Sequence, residues 1–112
     1  MGDRVSIQFE RSGERSVALF SHWGGMIFVK DAEQYAIALI HEMQGKTTMP
    51  LECMEPNTVM LDFIRYLFHD HHDRVMSGYY LGVDSDDGDN SDNGNWLINL
   101  DRGYPTTRYY HE

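Results

Sequence analysis

The sequence predicts an α+β fold in the order ββααββ, a mostly antiparallel four-stranded sheet with two helices on one face. Three features point there. Apolar residues recur at every second position near both ends of the chain but at every third or fourth position through its middle, so strands flank helices. Glycines and prolines gather where the period changes. A length of 112 residues and 41% hydrophobic content suit one core, so residues 1–112 are expected to form a single domain.

Residues 4–10 alternate, with Val5, Ile7 and Phe9 on one side and Ser6, Gln8 and Glu10 on the other, as in a strand with one buried face. Arg11-Ser12-Gly13-Glu14 is polar and holds a glycine suited to a turn, and residues 16–21 resume an apolar run, so the two segments should form a hairpin. After His22-Trp23-Gly24-Gly25 the period becomes helical over residues 26–44, where Val29, Ala32, Ala36, Ile40 and Met43 share a stripe. Asp31 and Glu33 suit the positive end of its dipole, and Gly45 suits its end. Pro56 fits the first turn of a second helix over residues 57–70, with the connector 46–55 between. The period of two returns at Val75, Ser77, Tyr79, Leu81 and Val83, and Trp96 to Leu100 form another short strand. These two are expected to pair as a second hairpin with a long acidic tip, while the tail 101–112 runs as an edge strand or lies across the sheet.

The apolar runs are short and broken by charge, none near the roughly 18 to 20 residues that span a bilayer, so no membrane association is expected. The opening residues lack a secretory pattern, which points to the cytoplasm. Gly2 and Ser6 match a bare myristoylation pattern, but no basic patch supports it. Cys53 is alone, which rules out an intramolecular disulfide. A formal net charge of -9 with scattered Lys and Arg argues against binding a nucleic-acid phosphate backbone.

The most unusual segment is residues 84–95, which hold no apolar side chain and five aspartates within nine positions. Hard cations take oxygens from carboxylates and amides, so Asp84, Asp86, Asp87, Asp89, Asp92 and Asn93 are candidate ligands for weakly held Ca2+. Read as an EF-hand from Asp89, however, the twelfth position is Leu100 instead of a bidentate glutamate. The same composition also describes a solvated turn. The cluster His69-Asp70-His71-His72-Asp73 could ligate zinc or nickel, or simply end a helix whose dipole favours histidine there. Ser21-His22-Trp23-Gly24-Gly25 places a serine beside a histidine, but adjacent strand residues face opposite ways, so no catalytic pair follows. Neither a phosphate-binding loop nor a dinucleotide fingerprint occurs.

Phe20-Ser21-His22-Trp23-Gly24-Gly25 after a first hairpin, with Leu81-Gly82-Val83 followed by Asp92-Asn93-Gly94, resembles small proteins of archaea, bacteria and phages with an aromatic-x-His-Trp turn and a late Asp-Asn-Gly loop. That group has no assigned activity. The resemblance implies a prokaryotic origin and draws attention to the two loops. Together these readings favour a non-enzymatic interaction module that meets a protein partner through His22, Trp23, Gly24 and Gly25. The alternatives are weak calcium binding by residues 84–95 and an enzyme with a site around His22.

Overall fold

The computed structural model describes residues 2–44, 55–69, 78–102 and 104–110. Strand β1 (Val5–Arg11) alternates as its sequence predicts, with Val5, Ile7 and Phe9 fully buried. Ser12 and Gly13 both have positive φ, 54° and 81°, which gives the two-residue turn whose twist matches that of a hairpin. The returning chain forms β2 (Glu14–Arg15) and β3 (Ala18–Ser21), both antiparallel to β1.

The register changes between them. Glu10 faces Arg15, but Ile7 faces Leu19, so three residues on one strand oppose two on the other and the chain bulges at Ser16–Val17. The bulge has its own hydrogen bonds. The Phe9 N–H donates to Ser16 Oγ at 2.9 Å, and the Val17 N–H, displaced from the ladder, donates to Asn57 Oδ1 at 2.8 Å. That last bond ties the sheet to the start of the second helix.

Helix α1 (Gly25–Gln44) buries Phe28, Val29, Ala32, Tyr35, Ala36 and Ile40. It begins earlier than its apolar stripe suggests, so its first turn holds no acidic residue and Asp31 and Glu33 lie too far along to meet the dipole. Helix α2 (Pro56–Phe68) starts on its proline and buries Val59, Met60 and Phe63. Both helices pack on the Val5, Ile7 and Phe9 face, in a cluster where Phe63 meets Phe9 at 5.7 Å and Tyr35 at 5.2 Å between ring centroids.

The sheet departs from the sequence prediction. Among the described residues it has six strands in mixed orientation, ordered β4-β3-β1-β5-β6 with β2 also on β1, rather than four mostly antiparallel ones. β4 (Tyr79–Gly82) pairs with β3, whereas β5 (Asn95–Asn99) runs parallel to β1 on its far side. β4 and β5 therefore form no hairpin. Residues 83–94 have a reach of roughly 40 Å when extended, ample for the roughly 14 Å across three strand spacings. The tail supplies β6 (Thr106–Tyr110), an antiparallel edge strand on β5.

β1 also differs from a strand with one solvated face. Ser6, Gln8 and Glu10 are buried on the face away from the helices. Ser6 Oγ donates to Asn95 Oδ1 at 2.7 Å, Asn95 Nδ2 to Gln8 Oε1 at 2.9 Å, and Gln8 Nε2 to the Ser16 carbonyl at 2.9 Å. Glu10 closes the row by accepting both Arg108 Nη2 contacts, at 2.9 and 3.1 Å.

Asn95→Ala leaves Gln8 Oε1 and the Ser6 hydroxyl without their partner. It is expected to lower unfolding free energy by about 2 to 3 kcal/mol in urea denaturation with an unchanged slope, whereas a loss below about 0.5 kcal/mol would mean that water substitutes for the amide.

The helices are stapled by Tyr35, whose hydroxyl donates to Asp62 Oδ2 at 2.6 Å while Arg65 Nη2 holds Oδ1 at 2.9 Å. Burial, then the bond to Asp62, pushes the Tyr35 hydroxyl well above its ordinary range. Burial also acts to raise Asp62, but the bonds from Tyr35 and Arg65, with the Arg65 charge, outweigh it and hold that carboxyl below 3.8. A depressed carboxyl contributes stability above its unfolded pKa that is lost as pH falls through the folded value, and a raised tyrosine contributes stability that is lost as pH climbs past 10. Tyr35→Phe is expected to cost about 1 kcal/mol at pH 7, shrinking as pH drops below 3.8. A denaturation series across pH checks both, and a cost independent of pH would show that the hydroxyl's contribution does not depend on the charge of Asp62.

Candidate functional site

The turn after β3 is clamped from three directions. Ser21 Oγ accepts the Gly24 N–H at 2.9 Å, the His22 N–H donates to the Gly78 carbonyl at 2.8 Å, and the Asp3 N–H donates to the His22 carbonyl at 2.8 Å. Gly25 N–H in turn donates to the Asp3 carbonyl at 2.9 Å, and the Asp3 carboxylate lies against Gly25, at the start of α1. This carboxylate takes the place at the helix N-terminus that Asp31 and Glu33 suggested from sequence.

The Trp23 ring lies over Gly78, where a Cβ would collide with its six-membered ring and where φ is +90°. Only glycine combines that backbone conformation with so close an approach. His22 meets Trp23 edge-on at 4.6 Å between centroids. The arrangement holds Trp23 without covering it, and 60% of the residue remains exposed. His22, Trp23, Gly24 and Gly25 are thus brought together as a rigid turn. Ser21 is buried with its hydroxyl committed to the Gly24 N–H. His22 lies close enough to Asp89 to contribute to lowering that carboxyl, behind the Ser91 hydroxyl, the Ser91 N–H and Arg4 as causes. Among the described residues, one shallow cleft of about 320 Å³ lies around Gln8, Arg15 and Asp84, and another of about 480 Å³ runs along one side of α2 at Thr58, Leu61 and Arg65.

The acidic segment crosses the polar face of the sheet. Asn90 Nδ2 reaches down to Ser6 Oγ at 2.8 Å and to the Ser85 carbonyl at 3.1 Å, and Ser85 is itself buried. Gly88 sits on the Tyr80 ring, which stacks on Phe20 at 4.9 Å. Four of the aspartates accept backbone N–H groups. Asp84 Oδ1 takes Ser85, Asp87 Oδ2 takes Asp84, Asp89 Oδ1 takes Ser91 and Asp92 Oδ2 takes Arg4, all at 2.7 to 3.1 Å. Asp89 also pairs with Arg4 at 3.3 Å, and Asp86 is exposed. Asn93 Nδ2 donates to Asp3 Oδ1 at 2.6 Å, which links this segment to the His22 turn. Among the described residues, no group of three or more His, Cys, Asp and Glu is arranged to hold a metal ion.

His69 caps α2, its Nδ1 donating to the Tyr66 carbonyl at 2.9 Å. The rest of the cluster, Asp70 to Asp73, lies outside the described residues. Sequence reasoning missed Arg4, Ser6, Ser85, Asn90 and Asn95 as the residues that seat the acidic segment. A usable signal was there. Ser6 and Gln8 on β1 and Asn95 on β5 are uncharged groups that pair readily when buried, unlike the lysines and glutamates of a solvated strand face.

No protein-family model, curated protein or solved structure matches the chain.

Gly94 has φ +83°, and a Cβ there would strike the Tyr109 ring. Gly94→Ala is expected to cost about 2 kcal/mol or more in thermal unfolding and to alter the near-ultraviolet dichroism of Trp96, whose Nε1 donates to the Asn93 carbonyl at 2.9 Å. An unchanged spectrum and melting temperature would mean the segment does not depend on this turn.

Proposed function

We propose that the protein is a non-enzymatic interaction module whose contact face consists of the His22–Trp23 turn and the adjoining strand β4. The observation that carries this reading is Trp23, a large aromatic 60% exposed yet held by a turn with hydrogen bonds on three sides. Aromatic side chains dominate binding energy at protein interfaces, and one already held in place loses little further freedom on binding. Leu81 and Val83, beside Gly82 on the outer strand, add apolar surface at 57% and 80% exposure. Against an enzyme around His22 stands the burial of Ser21, 2% exposed with its Oγ accepting the Gly24 N–H.

Affinity capture from the native cell with wild type and Trp23→Ala tests the reading. Wild type is expected to retain a partner that Trp23→Ala loses, while unfolding free energy falls by only about 1 kcal/mol, as for a mostly exposed side chain. Recovery of the same proteins by both would remove Trp23 from the contact face.

A further inference from the structure

Among the described residues β4 has β3 on one side and no strand on the other. Exposed strand edges invite pairing, and proteins blunt them with lysine, proline or bulges. The opposite edge follows that practice, since β6 is preceded by Pro105 and carries Arg108. The stretch Tyr79-Tyr80-Leu81-Gly82-Val83 contains neither charge nor proline. Among the described residues, the charge nearest to it in sequence comes past its end, at the exposed Asp84, Asp86 and Asp87. At the other end the exposed Trp23 ring lies over Gly78. The edge therefore runs from an aromatic platform to a group of carboxylates.

This asymmetry selects the occupant. A second copy would bring another net charge of -9 to an already acidic molecule. A segment carrying lysine or arginine gains attraction at the aspartate end and loses nothing along the strand. Asp84 and Asp87 each use one carboxylate oxygen on a backbone N–H, leaving the other for a cation.

We propose that β4 receives an extended segment of a partner protein as an added antiparallel strand. Lysine or arginine residues at that segment's N-terminal side meet Asp84, Asp86 and Asp87, and an apolar residue at its C-terminal side packs on Trp23. The antiparallel direction continues the β3–β4 pairing and is the more stable per residue. Main-chain hydrogen bonds supply affinity, while Trp23 and the aspartates choose the sequence. The inference rests on the contact face proposed above and adds the partner's conformation and charge.

The test selects a displayed library of random twelve-residue peptides against the full chain, then synthesises the enriched peptide. Expected are peptides with Lys or Arg preceding β-branched or aromatic residues, and binding that shifts the amide resonances of residues 79–83. Affinity should fall at least tenfold when alternate peptide nitrogens are methylated, and severalfold both with Asp86→Asn plus Asp87→Asn and on raising salt from 50 to 500 mM. No enrichment, enrichment without basic residues, or indifference to N-methylation overturns the proposal. So does protection of the outward-facing β4 amides from exchange in the free protein, which would mean the edge is already covered, or a β4-mediated dimer in ultracentrifugation, which would make the occupant a second copy. The two readings separate through Trp23→Ala. Loss of binding with that variant but none with N-methylation keeps the contact face and rejects strand addition. The reverse keeps strand addition and removes Trp23.

Discussion

A strand buried on both faces needs two kinds of cover, and β1 obtains them from different parts of the chain. Its apolar face meets the helices, while Ser6, Gln8 and Glu10 lie under segments that arrive much later in sequence. A buried polar group left unpaired costs about 1 to 3 kcal/mol, so this second face can be closed only by residues that answer each donor and acceptor. Asn95 does so because β5 lies parallel to β1 with Asn95 opposite Ser6. A slip of one residue would turn Asn95 to the helix face and Trp96 onto the polar row.

The same demand shapes the candidate site. To bring Asn90 over Ser6 the chain leaves β4, passes over β3 and β1, and enters β5 on the far side, which leaves β4 at the rim of the sheet. Asp3 and Arg4 hold the two loops together at that point. Asp3 bonds the His22 carbonyl, the Gly25 N–H and the Asn93 amide, while Arg4 receives Asn93 and gives its N–H to Asp92. The surface ion pair of Arg4 with Asp89 adds little energy of its own, and the backbone bonds do the holding. The His22 turn and the acidic segment, which look unrelated in the sequence, share one anchorage.

The described helices, the first hairpin and the apolar face of β1 were legible in the sequence because each is a local pattern with a local physical cause. The period of three to four residues yields α1 and α2, Pro56 marks a helix start, and Ser12-Gly13 yields a turn between alternating strands. The His22 turn was likewise legible as a break between the hairpin and the helix. Strand neighbours were not. Adjacency in sequence favours a hairpin between β4 and β5, yet a loop long enough to cross two strands removes that restraint, and the choice passes to whichever pairing satisfies the buried groups.

What the sequence by itself determined is the α+β class, most element positions and the residues that line the main core. Those follow from backbone propensity and the cost of exposing apolar surface, both of which act over a few residues. The tertiary structure decided the parallel β1–β5 pairing, the burial of Ser6, Gln8 and Glu10, the path of the acidic segment across them, and the exposure of Trp23 beside the β4 edge. Each of these depends on hydrogen bonds between groups more than fifty positions apart, such as Ser6 with Asn95, His22 with Gly78 and Asp3 with Asn93, and a polar side chain carries no local sign of which distant partner will meet it.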